Sequence, residues 1–223
     1  LIQQGHVAVG HPARLCTDAT ADFEPEGLEF TIQGKPWQYH ELAYLMLNKP
    51  TGHECSQKPG AWPSIYTLLP APLRSRPSGA ASGVQAVGRL DQDTTGLLLL
   101  SDDGKFIHRL SSPRHHVPKV YVATCKHPVT QVMIDKLLAG VVLEDDPKPV
   151  KASACRALDE HTLELTLTEG KYHQVKRMVA AAGNRVEALH REAVGGLSLP
   201  AGLKPGEWRW LAAVDLEKLG DFA

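Results

Sequence analysis

Ala86–Asp102 reads AVGRLDQDTTGLLLLSD, and the rest of the chain is organised around it. Leu97–Leu100 is an unbroken apolar run, short enough for a strand and apolar enough to be covered on both faces. Ahead of it stand Arg89, Asp91, Asp93, Thr94, Thr95 and Gly96, which as a group read as a polar turn. Such a turn is ordinary as loop composition. A carboxylate at the mouth of a packed strand nevertheless has a fixed position, which a nucleophile or base requires.

On the N-terminal side, Leu42–Leu47 is a second apolar run that ends at Asn48-Lys49-Pro50-Thr51-Gly52. Proline cannot continue a ladder and glycine allows the turn. Arg74–Val84 (RSRPSGAASGV) has no periodicity and is expected to be a mobile surface loop. On the C-terminal side, Asp102-Asp103-Gly104 predicts a turn, and Lys105–Leu110 one or two helical turns stopped near Pro113. Lys119–Thr124 is β-branched and aromatic, hence a strand. Gln131–Ala139 predicts a helix closed by Gly140, with Ile134, Leu137 and Leu138 inward. His161–Thr168 alternates, with Leu163, Leu165 and Leu167 facing in, as a one-sided strand does. Gln174–Ala182 carries Val175, Met178, Val179 and Ala182 at helical spacing. Val186–Leu189 and Leu197–Leu199 predict further strands. Helices and strands alternate irregularly, so the expected class is α+β with a mixed, mainly antiparallel central sheet flanked by helices.

The bulk properties exclude little. The 223 residues suffice for one large domain or two small ones. No apolar run spans a bilayer, so no membrane is implied. Leu1–Gln4 has no features of a secretory signal; the first residue is not Met, and a preceding segment is expected. Cys16, Cys55, Cys125 and Cys155 are scattered without a Cys-x-x-Cys pair, which fits a reducing cytoplasm. The net charge is −1, but it is unevenly spread. Gly104–Ile134 has no acid and holds Lys105, Arg109, Arg114, Lys119 and Lys126. Lys171, Lys176, Arg177, Arg185 and Arg191 form a second set, while acids gather at Asp22–Glu29 and Glu144–Asp146. One basic face toward phosphates is the expectation; solvated faces of no special role are the other reading of the same composition. His108, His115 and His116 lack an Asp, Glu or Cys at ligand spacing, so no metal is implied.

The longer string over Gly88–Leu97, G-R-L-D-x-D-T-T-G-L, resembles the signature of the RsuA/RluA class of RNA pseudouridine synthases, in which the Asp of RLD is catalytic. That residue here is Asp91. Leu47–Gly52 (L-N-K-P-x-G) is similar to the first motif of that class, whose role is mainly structural; Lys49 as an RNA ligand is the alternative. Glu169–Met178 (EGKYHQVKRM) resembles the third motif, which implies that Lys176 pairs with the catalytic Asp. A carboxylate that stays ionised in a partly dry pocket needs a cation within about 4–6 Å. Tyr121, in K-x-Y, would then stack on the target base, because an enzyme acting on a base inside RNA must take it out of the stack. Ser112–His116 and the string L-H-R-E-x-x-G-G at Leu189–Gly196 resemble the RsuA-type branch. Leu1–Gly10 (LIQQGHVAVG) is similar to the second half of an S4 RNA-binding domain.

The resemblance implies residues 1–38 as a partial S4-like domain with a linker at Gly34-Lys35-Pro36, and residues 39–223 as a catalytic domain. It implies isomerisation of a specific uridine in 16S rRNA, at a U516-type site, with no cofactor. The substrate is 16S rRNA or a small-subunit ribonucleoprotein precursor, and no obligate protein partner is evident. Asp91, Tyr121 and Lys176 are the expected catalytic residues, and Arg89, Lys119, Arg114, Arg177 and Lys49 the expected RNA contacts. Three other readings fit the same residues: an inactive rRNA-binding assembly factor on this fold, a synthase acting on 23S rRNA or tRNA, and a glycosidic hydrolase using the Asp91/Asp93 pair.

Overall fold

A computed structural model describes residues 1–76, 83–144 and 146–220. The chain divides into two compact units, Leu1–Ala43 and Tyr44–Ala223. The first is a four-stranded antiparallel sheet in the order Arg14–Leu15, Val7–Val9, Glu29–Ile32, Lys35–Gln38. The expected strand at Val7–Val9 is present, and Gly10 turns the chain with φ +85°. Gly34-Lys35-Pro36 is not a linker: Gly34 lies in the tight turn between two paired strands, and the chain divides at Ala43 instead.

The second unit is built on one mixed sheet. Its order is Ala154–Ala157, Thr162–Leu167, Lys119–Cys125, Val186–Val194, Thr95–Ser101, Tyr44–Lys49, Trp208–Trp210. Leu197–Ser198 and Gln85–Ala86 add short pairings on Val186–Val194 and Thr95–Ser101. Every pairing is antiparallel except Thr95–Ser101 with Val186–Val194. The apolar run is buried on both sides, as expected: Leu97, Leu98, Leu99 and Leu100 are each 1% exposed or less. Leu97 and Leu99 pack with Met46, Phe106, Leu110 and Val194. Leu98 and Leu100 point to the other face by the period of two. Burial of each such leucine contributes about 1.5–3 kcal/mol.

The helices follow the sequence signals. Gly104–Ser111 starts where the Asp103 carboxylate accepts from Lys105 N, and it buries Phe106 and Leu110. Gln131–Ala139 is capped by the Thr130 hydroxyl and ends at Gly140. Its inward face is Met133, Ile134 and Leu137; Leu138, expected inward, is exposed. Gln174–Ala181 buries Val175, Met178 and Val179, and Ala213–Leu219 closes the chain. The base of the expected Arg74–Val84 loop is pinned, not free. Arg74 ends the short Ala71–Arg74 helix, Arg76 is ion-paired with Asp102, and Val84 is buried with its N–H donating to the Leu73 carbonyl. Residues 77–82 of that stretch, and Asp145 of the acidic run, lie outside the described residues.

The parallel pair meets at Gly96 and Arg191. A Cβ on Gly96 would stand 2.3 Å from the Arg191 carbonyl oxygen, and Gly96 has φ +105°. Both facts demand glycine. Gly96→Ala is therefore expected to lose about 3 kcal/mol or more of stability, from steric overlap and an unfavourable φ together, as read by chemical unfolding. A change below about 1 kcal/mol would show that the two strands part easily.

Candidate active site

The turn before Thr95 is held from several directions. Thr94 N donates to the Asp91 carbonyl (3.1 Å), and Gly52 N donates to the Gln92 carbonyl (2.8 Å). Beneath it lies Lys49, fully buried, whose Nζ donates to the carbonyls of Pro50 (3.1 Å), Gln92 (3.2 Å) and Thr94 (2.9 Å). A buried ammonium is costly unless its donors are used, and here they meet three carbonyls. Burial pushes this ammonium below the ordinary lysine value, against the opposing pull of Cys55, Asp93 and Asp91. Lys49 is thus no RNA contact: it is out of reach of solvent and supports the turn from below.

Lys176 reaches the same turn from the Gln174–Ala181 helix. Its Nζ lies 2.7 Å from Asp93 Oδ1 and 3.2 Å from Asp91 Oδ2. Burial works against the charged ammonium, but the hydrogen bond to Asp93 and the charge of Asp91 more than offset it, so its pKa is raised. Asp93 is held below the usual carboxylate range: burial opposes ionisation, and the Lys176 hydrogen bond and charge outweigh it. The hydrolase reading needs one carboxyl kept protonated as an acid. Asp93, held ionised beside Lys176, is not such an acid.

His173 was not among the residues singled out from the sequence. Its Nε2 lies 3.3 Å from Asp91 Oδ1, the oxygen that Lys176 leaves open. It precedes the helix in the left-handed conformation, with φ +49°. The signal was its place three residues before Lys176, which puts both side chains on one side of the helix start.

A cavity of about 720 Å³ is lined by Arg89, Asp91, Asp93, Tyr172, His173 and Lys176, among others. A smaller one of about 90 Å³ shares Asp91 and adds Thr94, Tyr121 and Leu189. Tyr121 is buried, and it sits opposite Arg191 in the antiparallel register. Thr94 Oγ1 in this wall is buried and has no hydrogen-bond partner among the described residues. A third crevice joins Arg89, Lys119, Tyr121 and Arg191. Burial, and next the charge of Arg191, push the Lys119 ammonium down to about 8. Arg191 is itself buried, and its Nε donates to the Leu97 carbonyl (2.7 Å).

The other expected contacts divide. Arg89 is exposed on the cavity wall, and Arg114 is exposed in the Pro113–His115 turn, whose Pro113 lines the third crevice while Arg114 itself lines none of the three. Arg177 donates to the Tyr172 carbonyl (3.1 Å). The second basic set does not form an open face. Lys171 pairs with Asp146, Arg185 with Glu187, Lys176 with Asp91 and Asp93, and Arg191 is internal. Among the described residues no His, Cys, Asp or Glu cluster of three is placed to hold a metal ion, and no helix is long and apolar enough to cross a membrane.

A solved structure described as a pseudouridylate synthase matches 98% of this chain and 90% of its own, with a TM-score of 0.73 at 36% identity. The fold is that of this class of enzyme. Residues 43–181 match the family model of RNA pseudouridylate synthases, and the chain belongs to that family. The ribosomal small subunit pseudouridine synthase A of Haemophilus influenzae is 41% identical over 88% of this chain and 78% of its own length. The protein of that name in Escherichia coli K12 is 42% identical over 80% and 74%. A likeness to a chain of an H/ACA ribonucleoprotein, at 19% identity and TM-score 0.51, is one of fold alone.

The buried lysine yields a direct test. Lys49→Met fills similar volume but leaves three carbonyls without their donor. It is expected to cost about 2–4 kcal/mol in unfolding free energy. Stability equal to wild type would mean that the turn does not depend on the ammonium.

Proposed function

We propose that this synthase converts one uridine of 16S rRNA to pseudouridine, at a U516-type site, with Asp91 as the catalytic carboxylate. The observation that carries the reading is the Asp91 carboxylate, held between Lys176 and His173 at the junction of two cavities, one of which contains Tyr121. The relatives named for the ribosomal small subunit support the substrate class. A cytoplasmic setting follows from that substrate.

In this reading the uridine leaves the stack and enters beside Asp91, and Tyr121 takes the uracil face. The carboxylate acts on the uridine and the N1–C1′ bond breaks. The uracil turns, C5 bonds to C1′, the C5 proton leaves and N1 gains a proton. Lys176 holds the Asp91 carboxylate in place for that step. The buried Thr94 hydroxyl has a free hydrogen-bonding capacity for a polar atom of the substrate. Arg89, Lys119 and Arg114 are assigned to phosphates. The Leu1–Ala43 unit is assigned to a separate RNA segment, as its S4-like string suggests. Activity on a partly assembled ribonucleoprotein should then exceed that on a short naked hairpin.

Asp91→Asn is nearly isosteric and neither nucleophile nor base at neutral pH. It is expected to fold, bind RNA and form no pseudouridine. Tyr121→Phe should retain RNA affinity and lose turnover to the extent that its hydroxyl relays the C5 proton. Mapping pseudouridine in rRNA from cells lacking the protein should show loss of one small-subunit site. Turnover by Asp91→Asn, or loss at a 23S rRNA or tRNA site instead, would overturn the assignment.

Lys119 adds a pH signature. With its pKa near 8, it loses its charge as pH rises through that value, and a phosphate favours the charged form. RNA affinity should therefore fall between about pH 7 and 9.5 in the wild type. It should stay nearly flat in Lys119→Arg, whose guanidinium remains charged. Equal profiles for the two would remove Lys119 from the phosphate contacts.

A further inference from the structure

The turn that brings Lys176 to Asp91 also presents an aromatic ring that the reaction does not use. Tyr172 is 76% exposed, more than any other large apolar or aromatic side chain among the described residues, and it lines the cavity that holds Asp91. It is not loose. Its ring stacks on that of His173, with centroids 3.8 Å apart and planes 20° from parallel. His173 in turn touches Asp91.

The turn is braced throughout. Gln174 is buried; its Oε1 accepts from Lys171 N (2.7 Å) and its Nε2 donates to Glu169 Oε1 (2.9 Å). Arg177 holds the Tyr172 carbonyl, and Lys171 is ion-paired with Asp146. One face of the tyrosine ring is thus covered by an imidazole, and the exposure belongs largely to the other. A rigid aromatic face kept in water next to cationic side chains is what a nucleobase stacks on.

We propose that the outer face of Tyr172 stacks on an RNA base flanking the target uridine, and that His173 transmits this contact to Asp91. The inference rests on the RNA-directed reading above. It makes His173 a positioning residue: RNA seated on Tyr172 stiffens the imidazole, and the imidazole orients the Asp91 oxygen that Lys176 does not hold.

The test is a binding cycle with target-site rRNA and versions carrying an abasic ribose at either neighbour of the uridine. Tyr172→Ala should weaken binding of intact RNA about tenfold, the order that one base on an aromatic ring contributes, and Tyr172→Phe should not. One of the two abasic RNAs should weaken wild-type binding by a similar factor and leave Tyr172→Ala unchanged. Wild-type affinity in Tyr172→Ala, or equal losses in both proteins with each abasic RNA, would overturn the platform. Because the cycle reads binding, it holds or fails whether or not pseudouridine forms. Absence of product from the wild type would sink the catalytic reading alone. For the link to Asp91, His173→Asn tolerates the left-handed backbone but removes the ring. At saturating RNA its kcat should fall about tenfold and become insensitive to the abasic neighbour that lowers wild-type kcat. A wild-type kcat would break that link.

Discussion

The site depends on how closely two parallel strands approach at Gly96 and Arg191. Arg191 lies opposite Gly96 on one side and Tyr121 on the other. A single register on the Val186–Val194 strand therefore sets both the turn that carries Asp91 and the strand that carries Tyr121. Slipping either pairing by one residue would turn every side chain of the moved strand to the opposite face, and Tyr121 would leave the cavity. Arg191 adds a bond from its own side chain to the Leu97 carbonyl, across the same junction. Glycine at position 96 is thus a positional requirement: a Cβ would have to occupy the space of the facing backbone.

Charge is arranged in layers around that junction. Lys49 lies below the turn that carries Asp91 and gathers its carbonyls; Lys176 and His173 reach the Asp91 side chain from the helix start. The two lysines do different work because their access differs. One is fully buried and hydrogen-bonded only to backbone; the other keeps partial exposure and faces carboxylates. A carboxylate contacted on both oxygens in a partly buried pocket has few orientations open to it.

A near-neutral chain that acts on RNA is less contradictory once its cations are located. Many are spent on internal pairs, with Asp146, Glu187, Asp102 and Asp215 among the partners. What remains around the cavity is a small set, with Arg89 exposed and Lys119 half-buried. On the proposed function, affinity for a folded RNA would come from a few placed contacts and from stacking, more than from a broad electrostatic footprint.

Much of the fold was legible from periodicity. The run at Leu97–Leu100, the alternation at Thr162–Leu167 and the helical spacing at Gln174–Ala181 each became the expected element, because local hydrophobic pattern decides which face is buried. Asp91, Tyr121 and Lys176 were singled out as strings, and the fold sets Lys176 against Asp91 and Tyr121 in an adjoining cavity. Three things were not legible. Lys49 stood in a string read as mainly structural, with RNA contact as the alternative, and only the packing of neighbouring strands showed that it is enclosed. His173 had no distinguishing mark until the helix start was set against the turn at Asp91. The two basic sets read as one face, but whether a lysine meets a phosphate or a distant aspartate is decided by contacts such as Lys176 with Asp93 and Lys171 with Asp146. Sequence by itself determined the elements and the reactive residue types, because both are written in local pattern; their partners were decided by the tertiary structure, because burial and pairing arise between segments far apart in the chain.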